Sequence, residues 1–200
     1  YSDAPQEGIR RILGISPTET IPSEAIAGIK MGTTVATNAL LEKKGEATVL
    51  VITKGFKDAL RIAYQNRPDL FAQEIILPEM LYSKVIEVEE RYSATGEELI
   101  PVNREQINKD LTLAYQEGFR SCAIVLLHAY RYSQHEEIIA AIAHQLNFTQ
   151  VSVSHKVSPL IKLVTRGDTT VVDAYLSPIL QRYIDQFISN LGKDTEDKLL

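Results

Sequence analysis

Only one cysteine stands among the 200 residues, so no disulfide forms within the chain and its stability must come from an apolar core. That thiol, Cys122, heads the run Cys122-Ala123-Ile124-Val125-Leu126-Leu127, which predicts a buried strand and an inert core thiol. No uninterrupted apolar stretch reaches membrane length, and no basic segment followed by an apolar one opens the chain. Neither a spanning helix nor a signal peptide is therefore expected. Positive charge is in deficit, with 21 Lys and Arg against 26 Asp and Glu and a net charge of -5. Without a basic stripe, nucleic acid and anionic membrane are poor partners, and a cytoplasmic location is expected. The four histidines, His128, His135, His144 and His155, are never three or four apart, so no helical zinc pair is expected and no metal site is assigned. A Walker loop, a Gly-x-Gly-x-x-Gly fingerprint and a Gly-x-Ser-x-Gly elbow are all missing.

The 44% hydrophobic and 24% charged residues suit one large or two small soluble domains. Val49 to Ile52 form a short apolar run between Gly45 and Gly55, a buried strand by pattern. From Lys84, Val85, Ile86 and Val88 interleave with Glu87, Glu89 and Glu90. Ala94-Thr95-Gly96 then turns the chain toward Glu98-Leu99-Ile100, which predicts a half-exposed hairpin. Asn103 with Gln106 makes a capping box for a helix carrying Ile107, Leu111, Ala114 and Tyr115 and ending at Gly118. A second box, Ser133 with Glu136, opens a helix whose Ile138, Ile139, Ile142 and Leu146 share a face. Strands over 121–128 and 150–154 flank that helix, so the class is α/β or α+β, with a mixed sheet covered by helices. Ser177-Pro178 is expected to break a helix begun near Thr169 and to start another. A soft boundary is expected near Pro101, and 191–200 reads as a polar tail. The start at Tyr1 and that tail suggest a piece cut from something longer.

Four segments carry candidate chemistry. Met31-Gly32-Thr33-Thr34-Val35-Ala36-Thr37-Asn38 places hydroxyls and an amide on a Gly turn opening an apolar helix. Gly32, Thr33, Thr34, Thr37 and Asn38 fit a small polar ligand, although Thr also serves there as an ordinary N-cap. Lys54-Gly55, directly after a strand, is a candidate phosphate contact. In Tyr64-Gln65-Asn66-Arg67-Pro68-Asp69, the proline holds Arg67 extended beside two amides. That arrangement suits a carboxylate and equally a solvated surface loop. In Arg166-Gly167-Asp168-Thr169-Thr170, a second Gly turn is expected at a helix start. Asp168 is there to orient water and Arg166 to hold a phosphate or a developing charge, with dipole-complementing Asp as the structural alternative.

Taken in order, Gly32 to Leu40, Thr53-Lys54-Gly55-Phe56-Lys57-Asp58, Tyr64 to Phe71 and Arg166 to Pro178 resemble the hydantoinase A and 5-oxoprolinase family of ATP-hydrolysing lactam openers. The resemblance runs from Tyr1 to about Phe187. Met31 and the segments Leu127-His128-Ala129-Tyr130 and Ser133-Gln134-His135-Glu136 look closer to 5-oxoprolinase. It implies part of an actin- and sugar-kinase-like ATPase lobe, with ATP, Mg²⁺ and K⁺ used by the parent enzyme. It implies a small cyclic amide as substrate, 5-oxoproline or hydantoin, and substrate contacts at Gly32, Thr33, Thr34, Thr37, Asn38, Gln65, Asn66 and Arg67. Nucleotide contacts are implied at Lys54, Gly55, Gly167 and Thr169, and catalytic roles at Arg166 and Asp168. The remaining hydantoinase A lobe and a hydantoinase B portion are the implied partners, in a homo-oligomeric parent. The family's early Gly-Gly-Thr-Phe-Thr-Asp phosphate loop is not found here, so these residues alone are expected to be inactive. A hydantoinase subunit, an amidase or sugar-kinase relative, or a non-catalytic scaffold are the alternatives.

Overall fold

The computed structural model describes residues 4–16, 19, 21–22, 24, 26–65, 71, 73–75, 77 and 79–189. The chain divides into two compact units, Tyr1–Glu42 with Ile179–Leu200, and Lys43–Pro178, so Pro101 lies inside the second. In the first unit, α1 (Ala4–Leu13) and α2 (Val35–Leu41) accompany a small apolar cluster. Ile21 and Phe187 are buried there against Ile9, Ile15, Ile26, Ile29 and Met31, and Gln6 Nε2 donates to the Phe187 carbonyl at 3.2 Å.

The second unit opens with β1 (Thr48–Thr53), α3 (Ala59–Ile62) and β2 (Tyr82–Val88). A short ribbon follows, β3 (Arg91–Tyr92) with β4 (Glu98–Ile100), and then α4 (Arg104–Gln116), β5 (Ser121–Val125) and α5 (Gln134–Gln145). The last elements are β6 (Gln150–Val153), α6 (Ser154–Val157) and α7 (Leu163–Ser189). The sheet order is β2-β1-β5-β6, with every neighbouring pair parallel. The α/β class is as expected, but antiparallel pairing is confined to the separate β3–β4 ribbon. Residues 84–88, expected in the hairpin, join the main sheet beside β1 instead. Their apolar side chains find a neighbour in the fully buried β1, a long-range contact that alternation alone does not reveal.

Alternation along the strands sorts the core onto two faces. Val49, Val51, Cys122 and Ile124 pack under α4 and α5 through Ile107, Leu111, Ile139 and Ile142. Leu50, Ile52, Ala123 and Val125 pack under α3 and α7 through Leu60, Val171 and Ala174. Cys122 is fully buried as expected, and burial pushes its thiol far above the ordinary range.

Two features of α7 depart from the sequence reading. Pro178 does not end the helix. It lacks the N–H that would serve the carbonyl of Ala174, four residues back, and Ser121 Oγ donates to that carbonyl at 2.6 Å. Nor is Arg166-Gly167-Asp168 a helix entrance, because α7 has already begun at Leu163 and Thr169 and Thr170 donate back to the carbonyls of Thr165 and Arg166. Gly167 is there for close approach, since an added Cβ would stand 2.5 Å from Leu60 Cδ2, and Leu60 is itself buried.

The ribbon is clipped to the sheet by a buried chain of polar groups. The Leu127 N–H donates to Thr53 Oγ1 at 2.9 Å, and Thr53 Oγ1 donates to Glu90 Oε1 at 2.5 Å. His135 then bridges two carboxylates, with Nδ1 donating to Glu90 Oε2 at 2.7 Å and Nε2 to Glu98 Oε1 at 2.8 Å. Burial disfavours the imidazolium, but the hydrogen bonds and charges of Glu90 and Glu98 outweigh it and raise the His135 pKa above its ordinary 6.5.

Two outcomes follow. Gly167→Ala should destabilise the fold by up to about 2 kcal/mol, because overpacking against Leu60, at about 1–3 kcal/mol, exceeds the roughly 1 kcal/mol that Ala gains over Gly in a helix. A lowered denaturant midpoint checks this. Because the folded His135 pKa is raised, its stabilisation is complete below 6.5 and is lost as pH rises through the folded value. The melting-temperature gap between wild type and His135→Gln should therefore be widest below that value and shrink above it.

Candidate functional site

In an open parallel sheet, ligands gather at the carboxyl ends of the strands, where the strand order reverses. Here the chain passes from β1 to β2 on one side and returns to β5 on the other, so the reversal lies between β1 and β5. The segments leaving β5 and β6 on this edge are held by a buried polar knot. Arg166 on α7 is fully buried, and all five of its N–H donors are used. Nε donates to Ser154 Oγ at 2.9 Å, one terminal nitrogen to the Leu160 and Ile161 carbonyls at 2.6 and 3.3 Å, and the other to those of Leu126 and Leu127 at 2.5 and 3.1 Å.

Glu136 completes the knot from the amide side. Its Oε1 accepts from the Leu126 N–H at 3.0 Å and from Ser154 Oγ at 2.6 Å, and its Oε2 accepts from the His155 N–H at 3.0 Å and from His155 Nδ1 at 2.7 Å. The expected Ser133–Glu136 capping box is therefore absent. Glu136 turns inward, and Ser133 Oγ donates to Glu137 Oε1 instead. A buried carboxylate is tolerable only when such partners replace water, and four donors plus the nearby guanidinium charge do so.

The candidates from the sequence separate into two groups. Arg166 has no donor left for a phosphate or a developing charge, which overturns its expected catalytic contact. The nucleotide candidates are likewise engaged internally. At the surface, Lys54 pairs with Glu89 at 3.1 Å, and the Gly55 N–H, at φ +90°, donates to Glu87 Oε1 at 2.7 Å. Gly167 is buried under Leu60, and the Thr169 hydroxyl is committed to the Thr165 carbonyl. In contrast, Gly32, Thr33, Thr34, Thr37 and Asn38 are exposed around the start of α2, where Thr33 Oγ1 accepts from the Val35 N–H at 3.2 Å. Gln65 is exposed at φ 56°, and Asn66 and Arg67 lie outside the described residues, as does the tail 191–200.

Asp168 is exposed and two residues from Arg166, about 200° around the helix, so the two face opposite ways. Partial burial raises its carboxyl pKa. The Tyr82 hydroxyl pKa is raised by burial first and then by the charge of Asp58, with Arg61 opposing and Asp168 adding least. A cavity of about 520 Å³ opens beside Tyr82, lined by Lys57, Asp58, Arg61 and Glu79 among others. β2 and β6 are the outer strands, about 14 Å apart by strand spacing, so this cavity and the knot are separate places. Among the described residues, no group of three or more His, Cys, Asp or Glu is arranged to hold a metal ion, and no helix is long and apolar enough to cross a membrane.

Sequence inspection missed Glu136, Ser154, His135 and Glu90. One signal was available: each stands just past a strand or in the helix turn entered from one, and in a parallel sheet such positions converge.

The chain matches the model of the hydantoinase/oxoprolinase N-terminal region over residues 1–146. It is 40% identical over 227 residues to the 5-oxoprolinase of Dictyostelium discoideum and 42% identical over 219 residues to 5-oxoprolinase 1 of Arabidopsis thaliana. Those alignments cover 96% and 97% of this chain but 18% and 17% of the relatives, so the chain spans less than a fifth of their length. Among solved structures, the ATP-dependent caprolactamase from Pseudomonas jessenii is similar at a TM-score of 0.76 and 30% identity, covering 92% of this chain and 27% of that one. With matching motifs, a matching sheet and matches that run nearly its whole length, this chain belongs to the hydantoinase/oxoprolinase family and represents part of its N-terminal region.

Proposed function

We propose that the parent of this chain is an ATP-dependent lactam hydrolase that opens 5-oxo-L-proline to L-glutamate. The observation that carries this reading is 40–42% identity to two 5-oxoprolinases over 96–97% of the chain. An amide is resonance-stabilised. Phosphorylating its oxygen activates the carbonyl carbon for attack by water, so the protein's contribution is positioning and electrostatics. ATP, with Mg²⁺ and K⁺, would supply that activation. The cradle for its phosphates is not assigned to Lys54, Gly55, Gly167 or Thr169, which are engaged elsewhere.

The groups left exposed are the candidate substrate contacts: Thr33, Thr34, Thr37 and Asn38, the backbone at Gly32, and Gln65. Asn66 and Arg67 are assigned with them from sequence, Arg67 to the substrate carboxylate. Asp168 remains the candidate for orienting water. Further portions of the parent, including a hydantoinase B-like one, are the proposed partners, in a homo-oligomeric cytoplasmic enzyme.

In the full-length parent supplied with ATP, 5-oxo-L-proline should elicit phosphate and glutamate together, and hydantoin should do so poorly. Preference for hydantoin would move the assignment to the hydantoinase branch, and binding without turnover of either would favour a scaffold. Arg67→Ala should raise KM for 5-oxoproline by about tenfold or more with kcat little changed. An unaltered KM removes that contact. The 200-residue chain alone should show no steady-state ATP hydrolysis.

A further inference from the structure

We propose that Arg166, acting with Glu136, is a positioning residue for the lactam-opening reaction. It holds the segments 126–130 and 159–161 in the arrangement that a substrate at the carboxyl end of the sheet would meet. The inference rests on the functional reading above and assigns to Arg166 a role it performs without touching substrate.

The carbonyls of Leu126, Leu127, Leu160 and Ile161 all point at one guanidinium, while the amides of Leu126 and His155 point at one carboxylate. The loop after β5 and the turns around α6 are thus gripped by Arg166 through their carbonyls and by Glu136 through their amides. Ser154 Oγ joins the two by accepting from Arg166 and donating to Glu136. A plain packing contact would not need this set of bonds, because strand ends on a protein surface ordinarily give their carbonyls to water.

The knot determines what the edge presents. With their carbonyls drawn inward, Leu160 and Ile161 leave their side chains 51% and 67% exposed. The guanidinium lies 5.7 Å from the centre of the Tyr130 ring, and the His128 ring lies 6.1 Å from the same ring. Among the described residues, nothing hydrogen-bonds His128 Nδ1, although that atom is buried. Leu160, Ile161, His128 and Tyr130 are thus carried by the two segments whose carbonyls Arg166 holds. Reaction rates are sensitive to how such segments are placed, since a misplacement of about 1 Å can cost roughly 10²-fold.

The full-length parent carrying Arg166→Lys keeps the charge but loses the fork, and Glu136→Gln is the milder partner variant if the first does not fold. Ile107→Val is the control, because it trims the core under α4 and belongs to neither buried polar network. The expected result is a fall of about 10²-fold in kcat for 5-oxoproline-dependent phosphate release, measured well below the melting temperatures. Amide exchange should accelerate selectively in 126–132 and 158–163. Ile107→Val should lower the melting temperature while leaving kcat near the wild-type value. Wild-type kcat in Arg166→Lys, unchanged exchange in the two segments, or an equal loss in Ile107→Val would each overturn the proposal. A wild-type parent inert toward 5-oxoproline would defeat the functional reading instead, and the exchange pattern would still decide whether the knot holds these segments.

Discussion

The second unit is organised around a problem of buried polarity at one edge of its sheet. Two consecutive strand-helix passages, β5 to α5 and β6 to α6, bring backbone carbonyls and amides to the carboxyl ends of these strands, where α5 and α7 cover them from both faces and exclude water. An unpaired buried amide or carbonyl costs about 1–3 kcal/mol, so the edge is stable only if something replaces the lost solvent. Arg166 and Glu136 do this from opposite sides, and neither is tolerable alone. Removing the arginine leaves four carbonyls unpaired and the carboxylate without its counter-charge, whereas removing the glutamate leaves two amides unpaired and the guanidinium without its own. The pair couples the start of α7 to the start of α5 through Ser154, and that coupling fixes both helices against the sheet.

The His135 chain solves a related problem by other means. A two-stranded ribbon is marginal by itself. Here Glu90 immediately precedes β3 and Glu98 opens β4, and His135 on α5 binds both carboxylates. The bond from Leu127 to Thr53 ties that chain to the segment that Arg166 also holds. The loop leaving β5 is therefore fixed at successive residues by two separate networks. Such loops at the reversal point are where this fold class handles ligands, and restricting one so completely fits an enzyme whose chemistry depends on placement.

Membership of the hydantoinase/oxoprolinase family and this geometry bear on different questions. The family identifies the kind of protein, and the geometry separates residues that face inward from those left for a ligand. Arg166 and Gly167 fall in the first group, whereas Lys54, Gly55 and Thr169 lie at the surface with their polar groups already bonded within the chain. The hydroxyls around the start of α2, Gln65 and Asp168 remain in the second.

Much of the local structure was legible from the sequence by itself. Apolar runs marked β1 and β5, Asn103 marked the start of α4, and the motif order pointed to the family. These depend on neighbours in sequence, through periodicity, capping and turn chemistry, and such signals survive without a fold. Long-range pairing decided the rest. Residues 84–88 became a parallel strand because β1 lay beside them, and α7 runs through Pro178 because Ser121, 57 positions earlier, serves the carbonyl that proline leaves free. Glu136 reads as a cap from its spacing to Ser133, and Arg166 as a ligand from its neighbours. Both became buried partners because the strand ends they satisfy come from segments far apart in the chain, and only the folded sheet brings those groups within hydrogen-bond distance.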